Sequence, residues 1–416
     1  MPAAFPFHLM AKPIGPKCNL RCRYCFYLEK EAFFAPAPHW RMSDETLEAF
    51  VRQYIEAQPG RHVDFAWQGG EPTLAGVDFF RRVVALQRRY AGGRTIENAL
   101  QTNGTLLDDE WAAFLAEHDF LVGLSIDGPQ ALHDRSRVDA RGRGTWAAAM
   151  RGLEVLRRHE VAFNTLTCVS RANSGRPLEV YRFLKDIGSR HMQFIPVVEA
   201  VADEDERGQG LALGAPDGIA IGRRPVTDWS VTGEDWGRFL VTIFDRWVRH
   251  DVGNIHVQLF EVALAKWLGL PGGLCVHSEV CGAALAIEHD GSVYACDHYV
   301  YPRFRRGSLH DASLAELAGS PEQRRFGRDK RDRLPQRCRT CPVLFACRGG
   351  CPKHRHDVTA EGEEGLNHLC AGYLAFFTHI DPPMRAMADL HRRGESPALI
   401  RKILAANGRR GATSRR

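Results

Sequence analysis

The sequence predicts an α/β protein: a partial (β/α)6 TIM-like barrel followed by a cysteine-rich domain. Three observations carry this. Between about residue 7 and residue 200, six short apolar runs alternate with amphipathic segments. From Cys275 to Cys370 that periodicity gives way to cysteines and turns. At 416 residues the chain is long for a single domain.

The strand candidates, in order, are "FHLMAKP", "HVDFAWQ", "IENALQT", "FLVGLSI", "AFNTLTC" and "HMQFIPVV". Between them lie the helix candidates "SDETLEAFVRQYIEA", "GVDFFRRVVALQRRY", "DDEWAAFLAEH", "TWAAAMRGLEVLRRH" and "PLEVYRFLKDIG", the first capped at Ser43. Six such units rather than eight predict a parallel sheet that stays open, with chemistry on the loops after the strands. "CNLRCRYC" follows the first strand and so falls where an active site belongs. Residues 199–232 are Gly-rich and locally acidic and read as a long loop. In "GEDWGRFLVTIFDRWVRH", Trp236, Phe239, Leu240, Ile243, Phe244 and Trp247 form one apolar helical face, a core stripe. The expected organisation is a barrel over 1–232, a helical linker over 233–274, a metal-held domain over 275–375 and a helical tail over 376–416 with a disordered end.

Composition narrows the function classes. With 44% hydrophobic and 25% charged residues the chain is ordinary for a globular protein, and a net charge of +5 calls for no nucleic acid. No run approaches the length of about 18 apolar residues that a membrane span needs. The N-terminus lacks a basic segment followed by an apolar one, so a cytoplasmic, reducing location is expected. There, clustered cysteines bind metal more readily than they pair. Eleven of the twelve cysteines are clustered; Cys168, in "AFNTLTCVS", reads as an inert core thiol.

Cys18, Cys22 and Cys25 have the spacing C-x3-C-x2-C. Three thiolates on a [4Fe–4S] cube leave one iron open to a substrate or cosubstrate. The alternative is a three-cysteine zinc site completed by a distant His or Asp. The second strand ends in "QGGEP", where two glycines allow close backbone approach and Glu71 can pair with an ammonium. With "QTNG", "LSIDGP" and "HDRSRVDARGRGTW" following in order, the chain resembles the radical S-adenosylmethionine (SAM) superfamily. The resemblance implies a SAM-chelated cluster that generates a 5′-deoxyadenosyl radical. It also implies SAM contacts at Tyr24, Gly70, Glu71, Ser125, Arg137 and Val198.

Eight cysteines remain, with "CRTCPVLFACRGGC" reading C-x2-C-x5-C-x3-C. Their pattern resembles the SPASM extension of radical SAM enzymes, which holds two auxiliary [4Fe–4S] clusters; two zinc sites are the alternative. The resemblance implies Cys275, Cys281, Cys296 and Cys351 as one ligand set and Cys338, Cys341, Cys347 and Cys370 as the other. That makes three [4Fe–4S] clusters in all. Asp297 follows a cluster cysteine and reads either as a turn carboxylate behind the ligand or as a base. Its surroundings, "CGAALAIEHDGSVYACDHYV", are similar to the anaerobic sulfatase-maturating enzymes, as is most of the chain from about 7 to 375. In that family the corresponding Asp is the general base. A neighbouring anionic cluster is expected to raise its pKa.

The implied function is oxidation of a Cys or Ser in an unfolded sulfatase polypeptide to Cα-formylglycine. The implied electron donor is one such as flavodoxin or ferredoxin. Two rivals share some of these features: a radical SAM/SPASM peptide-crosslinking maturase, and a non-catalytic iron–sulfur electron-transfer protein.

Overall fold

The computed structural model describes residues 3–34, 40–216 and 223–413, and side chains as far as residue 406. Its centre is a sheet in the order β10-β9-β8-β1-β2-β3-β4-β5-β6-β7. The six expected strands are all present and parallel: β1 His8–Ala11, β2 His62–Trp67, β3 Thr95–Thr102, β4 Leu121–Ser125, β5 Phe163–Val169 and β6 His191–Pro196. Inward and outward residues alternate along them, as in β2 where Val63, Phe65 and Trp67 are buried. Helices Asp44–Ala57, Val77–Tyr90, Asp109–Glu117, Trp146–Arg158 and Pro177–Asp186 connect them. Ser43 caps the first by accepting from Thr46 N, and Asp108 caps the third by accepting from Trp111 N.

The sheet extends beyond six strands at both edges. On one side β7, His256–Val257, pairs parallel with β6. On the other β8, Ala284–Ile287, pairs parallel with β1 in the register His8↔Ala284 to Ala11↔Ile287. Two antiparallel strands, β9 Ser292–Tyr294 and β10 Arg305–Ser308, follow. The cysteine-rich part of the chain therefore shares the barrel's sheet. This consequence decides the site, because it carries the segment after β9 to the end of β1.

Residues 233–267 are more than a connection. Helix Gly233–His250 is capped by Thr232 and buries the expected stripe, Trp236 to Trp247, in one apolar core with Leu124, Val180 and Phe376. The 199–232 segment is not a bare loop. It contains a short helix, Glu204–Gly208, closed by a capping box between Asp203 and Glu206. Residues 217–222 of that segment, and the last three residues of the tail, lie outside the described residues. The tail before them forms helices Cys370–Arg392 and Ile400–Thr413. No helix among the described residues is long and apolar enough to cross a membrane.

Candidate active site

The loop carrying Cys18, Cys22 and Cys25 leaves β1 and is braced from three directions. Gly70 N donates to Gly15 O and Glu71 N to Lys17 O, both at 2.8 Å. Arg21 N donates to Val138 O at 2.7 Å and Arg23 N to Ser136 O at 2.9 Å. Asn103 Nδ2 donates to Asn19 Oδ1 at 2.9 Å. A Cβ on Gly70 would lie 1.8 Å from Lys17 O, so only glycine lets these two loops meet. The motifs "QGGEP", "QTNG" and "HDRSRV" thus act together on the cysteine loop. The three cysteines are half-buried and unpaired. Burial pushes the Cys18 thiol up to about 12, and Cys25 adds to the effect.

Glu71 is tied into the fold by its neighbours. It is buried, and its carboxylate accepts from Thr73 N and Oγ1, Thr102 Oγ1 and Asn103 N at 2.6–3.2 Å. Three of these donors share Oε1 and one reaches Oε2, so the carboxylate clasps the ends of β2 and β3 and keeps an acceptor position at Oε2. Val198, just beyond β6, is buried in the apolar core that holds Phe194 and Trp236.

Tyr24 and Arg137 converge on a residue not singled out from the sequence, Asp127. The Tyr24 hydroxyl donates to Asp127 Oδ2 at 2.6 Å, and Arg137 Nε lies 3.0 Å from the same oxygen. The Arg137 guanidinium stands 5.6 Å from the Tyr24 ring centre. Asp127 Oδ1 accepts from Cys168 N at 3.0 Å. Cys168 therefore borders the site, with its sulfur 3.8 Å from Arg137 Nη2, and is no isolated core thiol. Arg137 lies close enough to Cys22 to lower its pKa against the effect of burial. Ser125 accepts from Gln101 Nε2 at 2.9 Å on the neighbouring strand ends.

The other eight clustered cysteines have two sets of electrostatic neighbours. Cys281 and Cys296 are each raised by burial and then by Cys351 and Cys275. Cys347 is raised by burial and then by Cys370, Cys338 and Cys341. Between the groups lies Arg355, buried, within electrostatic reach of Cys338, Cys351 and Cys281. Its Nη2 donates to Lys330 O at 2.7 Å, while its Nε has no partner. Among the described residues no group of three or more His, Cys, Asp or Glu is placed to hold a single metal ion; the clustered donors are thiols alone, a chemistry suited to iron–sulfur clusters.

Asp297 is brought to the barrel mouth by the β1–β8 pairing. It opens a short 3-10 turn, Asp297–Tyr299, after Cys296. Lys12, the first residue beyond β1, donates to Asp297 Oδ1 and to Gln68 Oε1, the latter at 3.2 Å. The ammonium also lies 4.2 Å from the Tyr27 ring centre, and Tyr27 donates to the buried carboxylate of Glu288. Asp297 Oδ2 has no protein donor among the described residues. Among the protein's own groups, burial pushes the carboxyl up, but Lys12, then His298, outweigh it and hold it below its usual value. A second buried ion pair, Lys353 Nζ to Glu199 Oε1 at 2.6 Å, lies beside it. Lys12, Gln68 and Tyr27 escaped the sequence reading. The signal available was a lysine closing an otherwise apolar strand, in "HLMAK".

Comparison with known proteins gives the family. Residues 13–194 match the radical SAM superfamily, and residues 275–342 match the SPASM iron–sulfur cluster-binding domain. The chain is 43% identical over 404 residues to a serine-type anaerobic sulfatase-maturating enzyme of Bacteroides thetaiotaomicron, covering 97% of this chain and 96% of that protein. It is 33% identical to a cysteine-type enzyme of Clostridium perfringens, covering 92% of this chain and 99% of that one. Among solved structures, anSMEcpe with bound AdoMet and a peptide superposes with a TM-score of 0.79 at 31% identity, covering 92% of this chain and 99% of that chain. With its braced three-cysteine loop, its eight further thiols and relatives matched nearly end to end, the chain belongs to the anaerobic sulfatase-maturating enzymes of the radical SAM/SPASM family.

Proposed function

We propose that this enzyme oxidises a Ser or Cys side chain in an unfolded sulfatase polypeptide to Cα-formylglycine, with Asp297 as general base. The observation that supports this most directly is the position of Asp297: held at Oδ1 by Lys12, open at Oδ2, and immediately after Cys296. In this reading Cys18, Cys22 and Cys25 would hold a [4Fe–4S] cluster, supplying three thiolate ligands. Cys275, Cys281, Cys296 and Cys351, and Cys338, Cys341, Cys347 and Cys370, hold two fully ligated ones. Tyr24, Gly70, Ser125 and Arg137 line the SAM side of the loop. The reduced cluster and SAM, when bound, supply the radical that takes a Cβ hydrogen atom from the substrate.

The chain's own residues do the rest. Asp297 Oδ2 accepts the hydroxyl or thiol proton, while the Lys12 ammonium fixes the carboxylate and balances its charge. Lys353 and Glu199 neutralise one another beside it and so leave the proton transfer to Asp297. The substrate loses a hydrogen atom, a proton and an electron. Serine thereby gives the aldehyde directly, and cysteine gives a thioaldehyde that water hydrolyses. An auxiliary cluster, where bound, would take up the electron, and a cytoplasmic donor such as flavodoxin or ferredoxin would prime the reaction. Identity of 43% to a serine-type and 33% to a cysteine-type enzyme favours serine as the substrate.

The test is anaerobic incubation of the reconstituted enzyme with SAM, dithionite and peptides containing S-x-P-x-R or C-x-P-x-R. Mass spectrometry should find the aldehyde, trapped as its hydrazone, in step with 5′-deoxyadenosine. SAM cleavage that leaves both peptides unchanged would overturn the assignment.

A further inference from the structure

Helix Pro321–Asp332 has two faces of opposite character. Its inner face, Gln323, Gly327 and Lys330, is buried against the first group of four thiols. Cys281 N donates to Gly327 O at 3.1 Å, and a Cβ on Gly327 would lie 2.2 Å from Cys281 O. Glycine is thus what lets the helix backbone rest on the cysteine loop. Lys330 Nζ donates to Cys275 O, Val276 O and Ser278 O at 2.5–2.8 Å. The inner face is therefore fastened to the loop that carries two of the thiols.

The outer face is arginine. Seven arginines fall between Arg324 and Arg339, a span of sixteen residues. Arg331 is engaged by Asp332 at 2.8 Å and Glu279 at 3.4 Å, and Arg333 by Asp329 at 3.5 Å. Arg324, Arg325 and Arg328 are exposed and have no ion-pair partner among the described residues. Further along, Arg337 stands beside Cys370 of the second thiol group. A net-cationic face thus lies one helix thickness from one thiol group, with Asp332 within electrostatic reach of Arg328, and the segment that follows it touches the other.

We infer that the outer face of helix Pro321–Asp332 is the docking surface for a small acidic one-electron carrier protein. This rests on the reading that the eight cysteines hold redox-active clusters. The chemistry requires such a partner: each turnover takes one electron in, to cleave SAM, and releases one from the substrate. A flexible, fixed-charge arginine surface steers an acidic partner into contact and gives a rate that falls with salt. A surface for nucleic acid has no need to be seated on thiols.

The test uses the reconstituted holoenzyme with SAM and two alternative reductants, dithionite and a reduced acidic flavodoxin. The triple variant Arg324→Glu, Arg325→Glu, Arg328→Glu is compared with the parent, reading initial 5′-deoxyadenosine formation. With flavodoxin at low ionic strength, the variant should be slower by about tenfold or more. The parent's rate should fall steeply with added salt and the variant's should not. With dithionite the two should be equal, since no docking is involved. Equal rates with flavodoxin would overturn the surface, as would an equal loss with both reductants, which would make the arginines structural. Absence of formylglycine from the parent with dithionite would instead count against the function proposed above. Flavodoxin-driven deoxyadenosine formation reads the surface independently of that result.

Discussion

Lys12 and Asp297 are 285 residues apart in sequence, yet the Lys12 ammonium donates to Asp297 Oδ1 at the mouth of the barrel. The pairing of β1 with β8 makes this contact, because it sets the residue after one strand against the turn after the next hairpin. If Lys12 acts through Asp297, Lys12→Met should reduce formylglycine formation by about tenfold or more while leaving iron content and SAM cleavage in place. Added to Asp297→Asn, it should cost almost nothing further. The double-mutant comparison reads this directly, and fully additive losses would mean independent roles.

Cluster content follows from the three thiol groups. Anaerobically reconstituted enzyme should hold about twelve irons per chain, and the combined Cys18→Ala, Cys22→Ala, Cys25→Ala variant about eight. The variant should form no 5′-deoxyadenosine. Iron and acid-labile sulfide assays check this, and stoichiometric zinc with little iron would contradict it.

Gly70→Ala places a methyl group where Lys17 O now sits. The cysteine loop has to move away from β2, so the first cluster should be lost preferentially. The expected result is a loss of about four irons, with the spectra of the two auxiliary clusters retained. Full loading with normal SAM cleavage would show that the loop adapts.

His133 makes the fold sensitive to acid. It is buried, with Nδ1 accepting from Asp127 N at 3.4 Å and Nε2 facing Thr145 Oγ1 at 3.3 Å, an arrangement for the neutral ring. Burial lowers its pKa from 6.5 to about 4. The unfolded chain therefore binds a proton that the folded chain refuses between those values, and stability falls as pH drops through that window. From about pH 7.5 to about pH 5.5 the parent should lose about 1 kcal/mol more than His133→Gln. Urea unfolding at the two pH values measures this; equal losses would remove His133 as the cause.

Much of the barrel was legible because its strands and helices differ in period and carry their own caps, as at Ser43 and Asp108. The strands that join the second half of the chain to the barrel were not. β8 is four residues, Ala284–Ile287, and β7 only two, His256–Val257. Such short runs form no pattern of their own and exist because a neighbouring strand pairs with them. The same reason hid Lys12, whose role appears only when β8 brings Asp297 beside it. What the motifs at Glu71 and Val198 do not reveal is what else these residues touch: the local donors Thr73, Thr102 and Asn103 hold the Glu71 carboxylate, and Val198 packs into the apolar core.

The most direct test of formylglycine formation through Asp297 is the ratio of aldehyde to 5′-deoxyadenosine in Asp297→Asn and in the parent. Asn keeps the shape of Asp and can still bond to its neighbours, but it has no proton affinity to offer at Oδ2. The ratio should fall by about 10²-fold, the range expected for loss of a general base, with iron content unchanged. An unchanged ratio would mean that the proton leaves by another route, and a parallel fall of both products together with iron would make Asp297 a structural residue.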